Sequence, residues 1–420
     1  MNKILKNTAV AIATGSLIFS NFLPVALADL TLEISGNGSG STNNVDLNVD
    51  TNTEVNQSNY ADIQNDVNVS AQTGNNTANK NTGGDVSVDT GDSNVSVGVT
   101  NNANSNVAAI SDCGGCLGDL TAKISGNGAD SKNDVKVDSK SKTEVNQYND
   151  AVVVNNVGVK SETGENEANK NTGGDVSVKT GDANVDDVSV TTQVNANRAS
   201  VSGGSGGSGL SLWITGNGAD SDNLIDLKLD SKTEVNQSNY ADIQNDVQVL
   251  ADSGDNTANK NTGGDVEIDT GDADVDVSVD NMANFNMASI DGCCLMDGTA
   301  KISGNGEGST NDIKAKLASL LKGNQYNDLD CKGEIKDACA DVKVLSETGE
   351  NEADKNTGDP GGDPSIETGD AGASIAVDNS ANANGLTVGG DVIDELEVDF
   401  PEGFPFSLDG LLGLLLLLWA

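Results

Sequence analysis

The chain has 420 residues with 65 acidic and 23 basic side chains, a formal net charge of −42, only 3% aromatic residues and no histidine. The missing histidine excludes imidazole bases, Ser-His-Asp and Cys-His nucleophile pairs and His-ligated metal sites. Binding to nucleic acid requires clustered Lys and Arg to replace counterions, so the acidic chain predicts no nucleic-acid partner, and no motif predicts an enzyme.

The N-terminal segment, residues 1–28, has the pattern of a secretory signal peptide. Lys3 and Lys6 precede an apolar run at residues 9–19, and small residues at Ala26 and Ala28 form a cleavage pattern. We therefore expect a secreted or extracellular protein, associated with the cell surface. Its six cysteines are then expected to form disulfides, because export leads to an oxidising compartment.

Internal repeats dominate the rest of the chain. The string ISGNG or ITGNG begins at Ile34, Ile124, Ile214 and Ile302, at spacings of 90, 90 and 88 residues. TEVNQSNYADIQNDV occurs at 53–67 and 233–247, whereas NQYND and SETGENEA occur only in the second and fourth units, which indicates an ABAB duplication. The predicted divisions are the signal peptide 1–28, repeat units 29–119, 120–201, 210–297 and 298–385, a Gly/Ser segment 202–209 and a tail 386–420. The Gly/Ser segment is either a flexible joint or a tolerated surface loop.

Each unit contains an alternating pattern typical of half-buried β-strands. From Val45 to Thr73 the odd positions are mostly apolar, and every even position up to Gln72 is polar except Tyr60. Such a run is longer than an ordinary strand of about 3–10 residues, which predicts short strands joined by bends.

We therefore predict an all-β fold, a right-handed β-solenoid or β-helix of four tandem repeats of about 90 residues. Each repeat would form about four rungs of twenty-odd residues, a stack of roughly 75–80 Å at about 4.8 Å per rung. The inward polar residues Gln57, Asn59 and Asn65 are expected at corners, where stacked amides bond to each other or to the backbone. The alternative is a row of β-sandwich domains, which the scarcity of aromatic residues disfavours.

Asn-Gly and Gly-Gly pairs predict the turns. The Asn-Gly pairs begin at residues 37, 127, 217 and 305, and the Gly-Gly pairs begin at 83, 173 and 263. These residues accept positive φ angles.

The spacing of Gln72, Gly74, Asn76 and Ala78 resembles the curlin repeat, which builds a bacterial surface amyloid from stacked β-arches. The array as a whole is similar to bacterial secreted β-solenoid adhesins and surface-layer proteins. These resemblances imply a structural or adhesive role, with self-association or cell-envelope components as partners.

A run of glycines and acids resembles the calcium-binding nonapeptide of RTX β-rolls. It comprises Gly83, Gly84, Asp85, Asp89 and Asp92. Further acids occupy alternate positions of another predicted strand and so lie on one face of it. The calcium candidates are therefore Asp85, Asp89, Asp92, Asp272, Asp274, Asp276 and Asp280. The alternative is a solvated acidic strand that is protected from edge pairing by its charge.

Four tyrosines recur in the repeats and are expected to point outward: Tyr60, Tyr148, Tyr240 and Tyr326. They would form a face for carbohydrate or a partner, or else they reflect ordinary strand propensity.

The six cysteines fall into three pairs. Cys331 and Cys339 are expected to close a local loop. Cys113 with Cys116, and Cys293 with Cys294, are candidates for close-spaced disulfides or for cross-links to another copy. Metal binding by Cys113 and Cys116 would require a second pair nearby.

The tail ends in an apolar run, residues 410–420, that is too short to span a bilayer as a helix of about 20 residues. Membrane contact is expected only through these residues. The sequence predicts a secreted, non-enzymatic structural or adhesive protein; the alternative is an extracellular module that binds calcium or polysaccharide.

Overall fold

The computed structural model describes residues 5–14, 17–22, 30–110, 119–202, 208–290, 296–332, 338–358 and 364–388. All regular secondary structure within those ranges is β-strand, so the prediction of an all-β fold is confirmed. The same part of the chain contains no helix long and apolar enough to cross a membrane.

The strands form four sheets, each of which takes strands from successive repeats. The first sheet contains β3 (Leu30–Ser35), β7 (Leu120–Ser125), β11 (Ser208–Thr215) and β15 (Met296–Ser303). The long-strand sheet contains β4 (Thr42–Gln72), β8 (Lys132–Glu162), β12 (Asp222–Asp252), β16 (Thr310–Cys331) and β17 (Ala340–Glu347). The short-strand sheet contains β5 (Val86–Asp89), β9 (Val176–Lys179), β13 (Val266–Asp269) and β18 (Ser365–Glu367). The return sheet contains β1 (Leu5–Thr14), β2 (Leu17–Phe22), β6 (Ser93–Ile110), β10 (Ala183–Val201), β14 (Ala273–Ile290) and β19 (Ala371–Val388).

All of these strands pair in parallel, and equivalent residues of successive repeats lie side by side. Val45 is opposite Val135, for example, which is 90 residues later in the chain. Antiparallel β-sandwiches therefore do not describe this part of the chain. We call the described residues within 30–110, 119–202, 208–290 and 296–388 layers 1, 2, 3 and 4.

The prediction of rungs of twenty-odd residues is wrong, because each repeat contributes one layer to the stack. β4 runs without interruption from Thr42 to Gln72, and its whole length pairs with β8. At about 4.8 Å per layer the outermost layers lie about 15 Å apart, whereas a strand of this length extends up to about 100 Å. The stack is therefore much wider than it is tall.

Within a layer, the chain folds back so that strands face each other across a thin core. Leu30 and Leu32 of β3 pack with Val45 and Leu47 from the start of β4. The rest of β4 faces β6, where inward valines and alanines of the two strands pack together. The short strand β5 closes a separate small cluster with the loop before it. The core is therefore a set of apolar clusters, each only two side chains thick.

Ladders of buried amides separate these apolar clusters. The Nδ2 of Asn59 donates to the Oδ1 of Asn149 at 3.1 Å, and Asn149 donates to Asn239 at 3.0 Å. Asn106 of the facing strand donates to Asn149 at 2.8 Å. Gln147 donates to the Gln57 Oε1 at 2.7 Å. The predicted amide stacking is thus confirmed, whereas the predicted corner positions are wrong, since these residues lie inside β4.

The turns between strands contain glycines with positive φ angles, as predicted for the Gly-Gly pairs, whereas the prediction is wrong for the Asn-Gly pairs themselves. Residues 36–41 join β3 to β4, and here Gly36 and Gly40, which flank the predicted Asn37-Gly38 pair, have φ angles of 67° and 71°. Gly83 and Gly84 have φ angles of 77° and 88°. These conformations are accessible to glycine at no steric cost.

The N-terminal strands β1 and β2 pair with β6 on the side away from layer 2. Leu5 lies opposite Ser93 and Leu17 lies opposite Ser105, so both strands follow the same offset of 88 residues. Backbone from the predicted signal peptide therefore occupies the outer edge of the return sheet in layer 1.

Candidate functional site

The four repeat tyrosines lie on the outer face of the long-strand sheet, as predicted. They occupy two neighbouring columns and alternate between them from layer to layer. One column reads Ser58, Tyr148, Ser238, Tyr326, and the other reads Tyr60, Asp150, Tyr240, Asp328. We call Tyr60, Tyr148, Tyr240 and Tyr326 the tyrosine ladder.

The alternation brings the rings of layers 2, 3 and 4 into contact. The ring centroids of Tyr148 and Tyr240 are 5.5 Å apart, and those of Tyr240 and Tyr326 are 5.4 Å apart, with planes tilted by 42° and 44°. Such tilted pairs fall within the preferred geometry of aromatic contacts. The rings remain exposed, from 37% for Tyr240 to 64% for Tyr60. The rings of Tyr148, Tyr240 and Tyr326 therefore form an aromatic strip that is open to solvent, with the exposed Tyr60 in layer 1 beyond its end.

Two acids hold the phenol groups of the ladder. Tyr148 donates its hydroxyl to Asp150 at 3.4 Å, and Tyr326 donates to Asp328 at 3.2 Å. Burial, together with the charge of Asp150, raises the pKa of Tyr148. The hydrogen bond to Asp328 raises the pKa of Tyr326. Both phenols are therefore protonated donors at neutral pH.

A column of outward-facing amides runs beside the ladder. Asn146 donates to Asn56 at 2.9 Å, Asn236 donates to Asn146 at 2.8 Å and Asn324 donates to Asn236 at 2.5 Å. These bonds fix the amides, so the strip has an ordered polar border.

The next outward column contains acids paired with lysines. Glu234 accepts from Lys232 and from Lys322, each at 2.8 Å, and these bonds lower the pKa of Glu234 to about 2. Both pairs are close to solvent, so they contribute little to stability. They do fix the charge pattern beside the tyrosine ladder.

Exposed aromatic rings with fixed amide and carboxylate neighbours can bind a flat polar ligand. The ring faces accept the C–H surface of a sugar or another ring, and the amides and carboxylates supply hydrogen bonds at its edges. Ligand units repeating along a polymer would meet equivalent groups in successive layers. The sequence indicated the individual tyrosines but not the contacts between their rings. The signal for these contacts was the position of the tyrosine, which differs by two residues between the NQSNY and NQYND repeats.

The predicted calcium residues of the turns have backbone partners in the structure. The Oδ1 of Asp92 accepts from the Asp182 N–H at 3.1 Å, and the Oδ1 of Asp272 accepts from the Asp370 N–H at 2.8 Å. Asp85 accepts from the Asp175 N–H at 3.1 Å. Each of these carboxylates thus bonds to the backbone of its equivalent in the next layer.

The remaining calcium candidates lie on outward positions. Asp89 is opposite Lys179, whose Nζ lies 3.3 Å from Asp269. Asp274 and Asp276 alternate with buried residues along β14, as does Asp280. Burial and the charge of Asp378 raise the pKa of Asp280. In the described ranges, no three Asp, Glu or Cys side chains are placed to share a metal ion.

Cys331 and Cys339 form a disulfide, as predicted for a local loop. The other four candidates, Cys113, Cys116, Cys293 and Cys294, lie outside the described residues, as do most of the Gly/Ser segment and the apolar run 410–420.

A shallow groove that the sequence did not indicate crosses the outer face of the long-strand sheet. It runs through all four layers, from Asn68 past Gly158 and Gln248 to Lys343. Gly158 has no side chain in this column, and the Asn68 amide lies over it, so that a Cβ there would come within 2.5 Å of the Asn68 Oδ1.

Comparisons of the chain with protein-family models, with curated proteins and with solved structures gave no match.

Proposed function

We propose that the chain is a secreted, non-enzymatic structural or adhesive protein of the bacterial surface. In this proposal the four repeats wind as a right-handed β-solenoid, as in the adhesins and surface-layer proteins that the array resembles. Its acidic outer face and tyrosine ladder would be displayed to cell-envelope components or to another surface.

This proposal rests on the tyrosine ladder and on the hydrogen-bonded sheet that presents it. Exposed aromatic residues are costly on a free surface, and an aromatic strip rimmed by polar groups is typical of an interaction site. Amide ladders below the strip, such as Asn59 to Asn149, hold the backbone that presents it. Ligand contact therefore requires little ordering of the protein.

Location is tested by fractionating cells that produce the chain with a C-terminal epitope tag. We expect the tagged chain in the culture medium or on the cell surface, where added protease removes it from intact cells. A chain that stays in the cytosol and is protected from protease would refute a surface role.

Polysaccharide binding is a second candidate, and the tyrosine ladder favours it over calcium binding. The repeat itself supplies a mild substitution, since Ser58 and Ser238 occupy the column of Tyr148. The double variant Tyr148→Ser, Tyr240→Ser should keep the fold and lose the ring contacts, and it places no third acid between Asp150 and Asp328.

Binding is measured by pull-down with insoluble chitin, cellulose and purified peptidoglycan. We expect retention on at least one of them to fall about tenfold or more in the double variant, since each lost stacking contact is worth on the order of 1 kcal/mol. The matched control is Asn48→Ser, an exposed position outside the ladder. Equal retention of the double variant and the control would exclude the ladder as the binding face.

A further inference from the structure

The outer edge of layer 4 is an open continuation of the core. Ile302 is 49% exposed and Val377 is 48% exposed, although both occupy inward columns. Their equivalents in layer 3, Ile214 and Val279, are 0% and 1% exposed. The exposure therefore comes from a missing neighbour on the open side and not from an outward orientation. A wide edge of this kind, with unpaired backbone groups, is a template for another strand layer.

Two outward lysines of β16 would meet acids of layer 1. Continuing the 90-residue register would place Thr42 of another copy on Thr310, and hence Asp46 on Lys314 and Glu54 on Lys322. Existing layers already pair in this way, since Lys322 contacts Glu234 at 2.8 Å.

The tyrosine ladder would also continue across such a contact. Tyr326 of layer 4 would meet Tyr60 of the second copy in the offset that Tyr148 and Tyr240 show within one chain, at 5.5 Å. The ABAB order continues as well, because layer 4 belongs to the second repeat type and layer 1 to the first. Layer 1 of a second copy is therefore the occupant that fits this edge.

The amide ladders give the contact a direction. Asn43 donates to Asn133, Asn133 to Asn223, and Asn223 to Asn311, at 2.7–2.8 Å. The Asn43 Oδ1 accepts no hydrogen bond within the described part of the chain. Stacking layer 4 on layer 1 would let Asn311 donate to that oxygen, whereas stacking two equal edges would not. The expected assembly is head to tail.

The N-terminal strands stand in the way of this contact. β1 and β2 together reach from Ser93 to Ile110 along the outer edge of β6. The equivalent edge of β14 is covered over the same span by β10, from Ala183 to Val201. With layer 4 of another copy stacked on layer 1, β19 of that copy would cover the edge of β6 in the same way. Residues 5–14 and 17–22 thus occupy the place that β19 of another copy would take.

We propose that layer 4 of one copy stacks on layer 1 of a second copy, and that residues 5–22 block this stacking until they are removed. The natural moment of removal rests on the proposed secretion, whereas the assembly itself does not. Removing the segment in vitro therefore tests the assembly even if the chain is not exported.

The first experiment uses the full chain with a site-specific protease sequence inserted after Ala28. Before cleavage we expect a monomer in sedimentation velocity at 0.15 M salt. After cleavage we expect elongated polymers with a meridional reflection at about 4.8 Å, and excess peptide 1–28 should slow their formation. A chain that stays monomeric after complete cleavage and release of the peptide would overturn the proposal.

Two glycine variants then test the two edges. A Cβ at Gly349 or at Gly38 meets no atom within 4 Å in one chain. Their equivalents have no such space: a Cβ at Gly254 would overlap the Gly349 carbonyl, and one at Gly128 would overlap the backbone at Ser39. Gly349→Ala and Gly38→Ala should therefore keep the melting temperature and raise the critical concentration of assembly by about tenfold or more. Unchanged assembly in both variants would exclude this interface.

Charge exchange tests the pairing of the edges. One chain carries Lys314→Glu and Lys322→Glu, and the other carries Asp46→Lys and Glu54→Lys. Each alone should assemble poorly because its two edges repel each other, and an equimolar mixture should assemble as an alternating polymer. Melting curves confirm that both chains are folded. Assembly of each chain alone as fast as the unmodified protein would contradict the proposed register.

Discussion

Of the acids, Asp252 is the one whose ionisation we expect to lower the free energy of unfolding most. It lies opposite Glu162 on one side and Glu347 on the other. Burial raises its pKa from 3.8 to about 6 against the effect of the Gly254 N–H, and Asp255 and the two glutamates add to the rise. Such a rise corresponds to at most about 3 kcal/mol, and we reduce this to about 1–1.5 kcal/mol because the carboxylate remains partly in solvent.

The substitution Asp252→Asn removes the charge and keeps the oxygen that accepts from Gly254 at 2.8 Å. Because the folded pKa is above the unfolded one, the folded state binds more protons, and stability falls as pH rises from about 4 to about 6. The variant should therefore gain about 1–1.5 kcal/mol in free energy of unfolding at pH 7.5 and gain nothing below pH 4.

Denaturant unfolding at pH 7.5 and pH 3.5 measures this difference. The matched control is Asp226→Asn, because Asp226 lies between Lys136 and Lys314. This control variant should lose stability at pH 7.5 or be as stable as the unmodified protein. The reasoning is refuted if Asp252→Asn gains nothing at pH 7.5, or if its gain persists at pH 3.5.

Two further substitutions test the stack in the same unfolding assay. Gly164→Ala should cost more than about 3 kcal/mol or prevent folding, because its Cβ would overlap the Gly254 carbonyl, whereas Gly349→Ala should change stability by less than about 0.5 kcal/mol. Equal effects would argue against direct backbone stacking. Asn149→Ala should cost about 3 kcal/mol or more, because it leaves the buried amides that bond to Asn149 without a partner. The exposed Asn48→Ala should be near neutral; a similar loss there would show that the ladder is not the cause.

The strands and the facing of the side chains follow from the sequence alone. The alternation from Val45 to Thr73 predicts which side chains are buried, because a strand keeps in/out parity along its length. The same parity is preserved whether the chain bends every six residues or not at all. For that reason the pattern could not distinguish four short rungs per repeat from one long layer.

The 90-residue period contained the information that decides the rung size. Gly74, Gly164, Gly254 and Gly349 recur at equivalent positions because a Cβ at Gly74, Gly164 or Gly254 would strike the next layer. Stacked identical amides likewise require that their repeats be neighbours. For the tyrosines, the sequence predicted exposure, but the ring contacts depend on which residues of different repeats lie side by side.

The 90-residue register also sets how the chain must fold. Bringing β4 beside β8 closes a loop of about 90 residues, which costs on the order of 4 kcal/mol of chain entropy before most of the ladder bonds form. Proteins built from such distant pairings fold slowly. Once two layers are in place, however, each later strand meets a finished template and adds its bonds along its whole length. We expect a slow nucleation phase followed by rapid layer-by-layer growth. A newly made chain would then stay unfolded for some time, which is what the proposed secretion requires.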